Sequence, residues 1–161
     1  MGNILESDLA YAAGIIDGEG SICVAYCKQS SMSSVKNYGV AVSVGMVDPE
    51  VPLWLKSIFG GNVDTYKGKR LVYRWKLHAR KCADFLEMVS PYMKLKRARS
   101  EAAVQLARMA RPHRGSPKGS RGNTSLSEDE IERKRPLAEF IRSENQRSNP
   151  KIAGYSKWGV Q

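Results

Sequence analysis

The chain has no apolar run near the ~20 residues needed to cross a bilayer, so no membrane-spanning helix is expected. Cysteine is scarce and odd in number, with Cys23, Cys27 and Cys82 alone. No basic leader with an apolar stretch opens the sequence, and no signal peptide is expected. These features argue against a disulfide framework and point to a reducing, intracellular setting. Histidine is scarcer still: His78 and His113. Cys23 and Cys27 would share one face of a strand, but no paired ligands stand at zinc-site spacing, so no structural zinc is expected. Acidic residues are the last deficit. Asp and Glu total 16 against 26 Lys and Arg, a formal net charge of +10. Such a surplus draws polyanions over long range, and nucleic acid fits it better than a membrane surface or a small-molecule substrate.

What is present suffices for one core. The 161 residues are 42% hydrophobic, which predicts a single domain over 1–161 without disulfides. Its core is expected at about 7–110, followed by a helical extension over 124–148 and a polar tail over 149–161. Leu9 to Ile16 is uncharged and rich in small residues, and predicts a short helix capped by Ser7. That helix is apolar on all sides, so it is expected to be buried on all sides. Asp17-Gly18-Glu19-Gly20 ends it. Ser21 to Gln29 then alternates, with Ile22, Val24 and Tyr26 on one face and Cys23, Ala25 and Cys27 on the other. Val40, Val42 and Val44 repeat the pattern after a polar loop at 28–37.

Asp48-Pro49-Glu50 opens a helix lined by Val51, Trp54, Leu55 and Ile58, which Gly60 ends. Asn62 to Tyr66 and Arg70 to Leu77 form a second hairpin around Lys67-Gly68-Lys69. Helices at about 80–89 and 94–110 follow, separated by Pro91. Residues 111–123 read as an exposed basic loop. Ser127-Glu128-Asp129-Glu130 is a capping box for a last helix, which Pro136 is expected to kink or split. The order α-β-β-α-β-β-α predicts an α+β fold with a curved antiparallel sheet. One sheet face is apolar. The other carries Gln29, Ser43, Arg70, Arg74 and Lys76 among small residues, and a two-stranded ribbon of that kind fits the major groove of B-DNA.

The segment Ala12-Ala13-Gly14-Ile15-Ile16-Asp17-Gly18-Glu19-Gly20, preceded by Tyr11 and followed by Ser21-Ile22, closely resembles the LAGLIDADG signature of homing endonucleases. With one copy of the motif, the chain looks like the single-motif, homodimeric branch. The resemblance covers roughly residues 7–145, and the order of elements is the family's. The physics of the segment points the same way. Small residues allow close approach of a second helix, and an all-apolar helix needs burial, so Leu9, Ala12, Ala13, Gly14 and Ile16 are the expected dimer interface. Two copies would bring two Glu19 carboxylates together. Such a pair repels unless divalent cations lie between, and hard oxygen ligands suit Mg2+, or Mn2+ or Ca2+ at the same site. The turn is no EF-hand, because Ile22 and Lys28 stand where that loop needs Gly and Glu.

The resemblance implies more. The second acid of the motif, Glu19, is implied as the metal ligand, assisted by the Gly18 carbonyl. Lys96, after Pro91-Tyr92, is implied as the basic active-site residue that stabilises phosphate charge or orients water. Met46 stands where the family has a polar residue, often Gln, holding water. The implied activity is metal-dependent hydrolysis of both strands of a long, near-palindromic double-stranded DNA target, leaving 3′ overhangs. An RNA maturase that has lost cleavage, or a DNA-binding regulator, are the alternatives on the same fold. Candidate base-reading residues on the open face are Cys27, Gln29, Asn37, Ser43, Tyr66, Arg70, Arg74 and Lys76.

Overall fold

A computed structural model describes residues 4–28, 36–109 and 128–148. Helix α1 (Glu6–Gly18) leads into strands β1 (Gly20–Lys28) and β2 (Lys36–Met46). Helix α2 (Glu50–Phe59) precedes β3 (Asn62–Lys67) and β4 (Leu71–His78). Helix α3 (Ala79–Val89), a 3-10 turn at Ser90–Tyr92, α4 (Arg97–Arg108) and α5 (Glu128–Ser148) complete the chain. The fold is the α+β arrangement expected. The strands form one antiparallel sheet in the order β1-β2-β4-β3.

Strand alternation sorts the sheet into two faces. Ile22, Val40, Val42, Val44, Trp75 and Leu77 are buried beneath the helices. They pack with Ala12 and Ile16 of α1, Phe85 and Leu86 of α3, Leu106 of α4, and Ala138 and Ile141 of α5. Trp75 is the largest of these, and its indole N–H donates to the Gly60 carbonyl at 2.8 Å. The α2–β3 corner needs glycine: Gly61 has φ +90°, and a Cβ there would lie 2.6 Å from the Lys76 carbonyl oxygen.

Several local expectations are corrected. Helix α1 begins at Glu6 with Leu5 at the cap position, where the Leu5 amide donates to Asp8; Ser7 is an exposed residue of the first turn. The α2 cap position is Pro49, and Asp48 instead accepts a bond from the Glu50 amide at 2.8 Å. Helix α4 begins at Arg97, because Met93 is extended after the 3-10 turn. Pro136 does not split α5, which runs through it. It is exposed, as is Glu132 one turn earlier, so water can take up the carbonyl that loses its amide donor. Gln29, His113, the loop at 111–123, the Ser127 cap and the tail from 149 lie outside the described residues. Among the described residues no helix is long and apolar enough to cross a membrane.

Candidate active site and nucleic-acid interface

The motif places its two acids in opposite environments. Asp17, in the last turn of α1, is held by the α4 entry: its carboxylate accepts from the amides of Lys94 at 2.6 Å, Leu95 at 3.1 Å and Lys96 at 2.9 Å. Burial pushes the Asp17 carboxyl up, but those amides and the Lys96 ammonium outweigh it and hold the group below its usual value. Asp17 is therefore a clasp. Glu19 caps the C-terminal end of α1, and its side chain is exposed. Its amide donates to the Ile15 carbonyl at 2.8 Å, which fixes the backbone and leaves the carboxylate to solvent.

Gly20 makes the tight exit possible. A Cβ there would lie 2.6 Å from the Ile16 Cα and 2.8 Å from the Ile16 oxygen. Lys96 reaches the same corner, with Nζ donating to the Ile16 carbonyl at 2.8 Å and the Gly20 carbonyl at 2.7 Å. Burial depresses the Lys96 ammonium and Arg99 adds to this, while the Asp17 and Glu19 carboxylates oppose it. An ammonium has three donors, so one remains for a ligand beside Glu19. The donor set at the helix end consists of a solvent-facing carboxylate and the carbonyl of Gly18, the last residue of α1, beyond which no helical turn continues. Hard oxygens at the negative end of a helix dipole fit a divalent cation of the Mg2+ type. Among the described residues, no three His, Cys, Asp or Glu are grouped to hold a metal within one chain. Met46 ends β2 opposite Tyr73, half-buried on the helical side of the sheet.

Within one chain the residues expected at the α1 interface fall in different environments. Ala12, Ala13 and Ile16 are fully buried in the chain's own core, and Leu9 packs against it. The helix is not buried on all sides: Ser7, Ala10, Tyr11, Gly14 and Gly18 are exposed at helical spacing. Of the residues expected at the interface, Gly14 alone lies on this open stripe. Tyr11 remains 53% exposed although its ring packs edge-on to Trp54 at 5.0 Å.

The second sheet face is open. Ser43 is paired with Lys76 and Gly45 with Arg74; Cys27 and Asn37 are paired through the backbone, and their side chains lie outside what the structure describes. Arg74 and Tyr66 are exposed, with the guanidinium 5.8 Å from the ring centre. Lys76 is not a free cation, since it bonds Asp64 at 2.8 Å. Arg70 lies in the β3–β4 turn rather than on a strand, and is exposed. The sequence reading missed Asn62, Asp64 and His78 on this face, although the even-numbered alternation of β4 marks them through their pairing. It also missed exposed Arg80 and Lys81 in the first turn of α3, where the helix dipole disfavours cations. Cys23 is exposed beside Ser21, with Oγ and Sγ 2.9 Å apart. Cys82 is buried, and burial pushes its thiol up to about 12, so it packs rather than reacts.

No family model and no curated protein matches the sequence. Solved structures do match. The homing endonuclease I-CvuI, in complex with its target in the presence of Ca, aligns with TM-score 0.65 and 17% identity over 94% of this chain and 97% of that one. The archaeal intron-encoded homing endonuclease I-Vdi141I, complexed with DNA, aligns with TM-score 0.68 and 19% identity over 86% and 84%. I-SmaMI, bound to uncleaved DNA target in the presence of calcium ions, aligns with TM-score 0.62 and 19% identity over 89% of this chain and 49% of its own. The chain has the homing-endonuclease fold. Within that fold the LAGLIDADG-like segment is the α1–β1 junction, and the open sheet face lies on the side of the sheet away from the helices.

Proposed function

We propose that this homing-endonuclease fold acts as a site-specific endonuclease on double-stranded DNA, as a homodimer with a divalent cation. The observation that carries the reading is the α1 end: a free Glu19 carboxylate beside an anchored Lys96, with the other acid of the motif tied down. One carboxylate and one carbonyl do not fill the shell of a hard cation, so water, substrate oxygens and the acid of a second copy would complete the site. Glu19 and the Gly18 carbonyl would hold Mg2+ or a similar cation, whose chemistry is to polarise the phosphate and acidify water. Lys96 offers its remaining N–H to charge developing on the phosphodiester. The chain spans most of I-CvuI but 49% of I-SmaMI, which is consistent with a unit that works in pairs.

The pairing surface is the open stripe of α1. Glycine inside a helix costs about 1 kcal/mol relative to alanine. Among the described residues nothing lies within 4 Å of a Cβ built on Gly14, so their packing does not require glycine there. Close approach of a second α1 would. Two-fold pairing presents the open sheet face twice in opposite directions, which selects a near-palindromic target. The two Glu19 sites then lie near the axis and face the central minor groove, where cuts on opposite strands leave 3′ overhangs.

The test is incubation of the protein with a randomised duplex library and Mg2+, followed by sequencing of the ends. Paired cuts near the centre of a palindrome are expected, and Glu19→Gln should bind the selected duplex without cutting it. Cleavage by Glu19→Gln at the wild-type rate would remove Glu19 from the site. Tight binding without cutting by the wild type would make the chain a binding module. Gly14→Leu should convert a dimeric mass to a monomeric one, and a monomeric wild type that still cuts would overturn the pairing.

A further inference from the structure

Among the described residues, the outer edge of β1 is held by side chains and not by another strand. β1 ends the sheet, and an edge strand presents a row of unpaired backbone groups. Residues two apart on such a strand turn their carbonyls the same way. The Gly20 carbonyl accepts Lys96 Nζ at 2.7 Å, and the Ile22 carbonyl accepts Asn145 Nδ2 at 2.9 Å. Lys96 stands at the entry to α4, and Asn145 near the end of α5. The two helices are themselves joined one turn on. Arg99, 5% exposed, donates to Asn145 Oδ1 at 2.8 Å and to the Glu144 carbonyl at 2.7 Å. The partners fix the amide's orientation, because a carbonyl needs a donor and a guanidinium needs an acceptor.

We infer that Asn145 is a positioning residue for DNA cleavage: by tying α5 to the Ile22 carbonyl and to Arg99, it holds Gly20 and Lys96 in register, and with them Glu19. This rests on Glu19 and Lys96 being the cleavage site. No bond to the Glu19 carboxylate holds it among the described residues, so its place is set by the backbone around it. On one side Gly20 abuts Ile16. On the edge side, Lys96 and Asn145 grip successive outward carbonyls, about 7 Å apart at the rise of a strand. Ala138 and Ile141 are fully buried, so α5 keeps its apolar anchors when Asn145 is replaced.

The experiment compares Asn145→Ala, Asn145→Asp and Asn145→Gln with the wild type in the full-length protein. It measures single-turnover cleavage of the selected duplex in Mg2+, affinity for that duplex without divalent cation, and backbone hydrogen exchange. Asn145→Ala should slow cleavage by about 10-fold or more, the usual scale for residues that orient a ligand set, with affinity within about two-fold. Exchange should rise in segments 16–24 and 94–100. Asn145→Asp keeps the acceptor for Arg99 but turns an oxygen toward the Ile22 carbonyl, so it should be at least as slow. Asn145→Gln keeps both groups on a longer arm and should recover part of the rate. A folded Asn145→Ala cutting at the wild-type rate, or losing rate and affinity in equal measure, would overturn the inference. So would an unfolded Asn145→Ala alongside Asp and Gln variants that fold and cut at the wild-type rate. If the wild type cuts no duplex, the cleavage reading fails instead. Unchanged exchange in segments 16–24 and 94–100 would then overturn the clamp by itself.

Discussion

At the α1–β1 junction, Asp17 takes three backbone amides and Lys96 gives two bonds to carbonyls, whereas on the open sheet face Arg74 stands exposed over the Tyr66 ring. The same side-chain types serve opposite ends in the two regions. Charges fixed by backbone partners define a geometry to within a fraction of an ångström, which a reacting centre needs. Exposed charges keep their rotamer freedom and adapt to a partner, which a recognition surface needs. Mutations of the bonded junction residues should therefore register in stability and rate together, and mutations on the sheet face in affinity alone.

The strongest way to break this contrast is Gly20→Ala. The added Cβ meets Ile16 backbone atoms at 2.6 and 2.8 Å, so neither side can yield by rotating a side chain. A loss of roughly 3 kcal/mol, the upper part of the overpacking range, is expected in denaturant unfolding, with cleavage abolished. Wild-type stability would mean that the junction is softer than its contacts imply.

Asp17→Asn should cost less, about 1–2 kcal/mol: the amide oxygen still accepts on one side, but an NH2 group replaces the other acceptor and the charge is gone. Its pH dependence has a definite sign. Folding lowers the Asp17 pKa, so the folded state favours the ionised form. That stabilisation is whole above the usual value of 3.8 and is lost as the pH falls below it. The gap between wild type and Asp17→Asn in unfolding free energy should therefore shrink in acid. A gap that widened on acidification would overturn the assignment of Asp17 as an ionised clasp.

Arg74→Ala should change stability least, by no more than about 0.5 kcal/mol, as for other exposed positions. Its effect should appear on DNA, where losing a bidentate contact costs about 1–3 kcal/mol and relaxes preference at one base pair in each half-site. Equal weakening on every sequence would make Arg74 a phosphate contact.

The order of elements was legible because alternation and helical spacing survive in a single sequence. Val40, Val42 and Val44 against Ser43 and Gly45 already define two faces. The α4 start was misplaced because Lys94 and Leu95 fit a helical pattern while their amides are taken by Asp17, a residue far away in the chain. Which face of α1 the chain's own core uses was not legible for a related reason. Small apolar residues cover the whole helix, and periodicity cannot say which of them the chain's own core will use. Ala12 and Ala13 went inward; Ala10 and Gly14 did not.

The sequence by itself determined the net charge, the two sheet faces and the motif that ends α1, since each is a matter of composition or local spacing. Only the tertiary structure decided which acid is bound and which is free, which stripe of α1 is open, and what grips the edge of β1. Those outcomes depend on pairs 79 residues apart, as for Asp17 and Lys96, and 123 apart, as for Ile22 and Asn145. A hydrogen bond needs its partners within about 3 Å, and only the packed chain brings residues so distant in sequence that close.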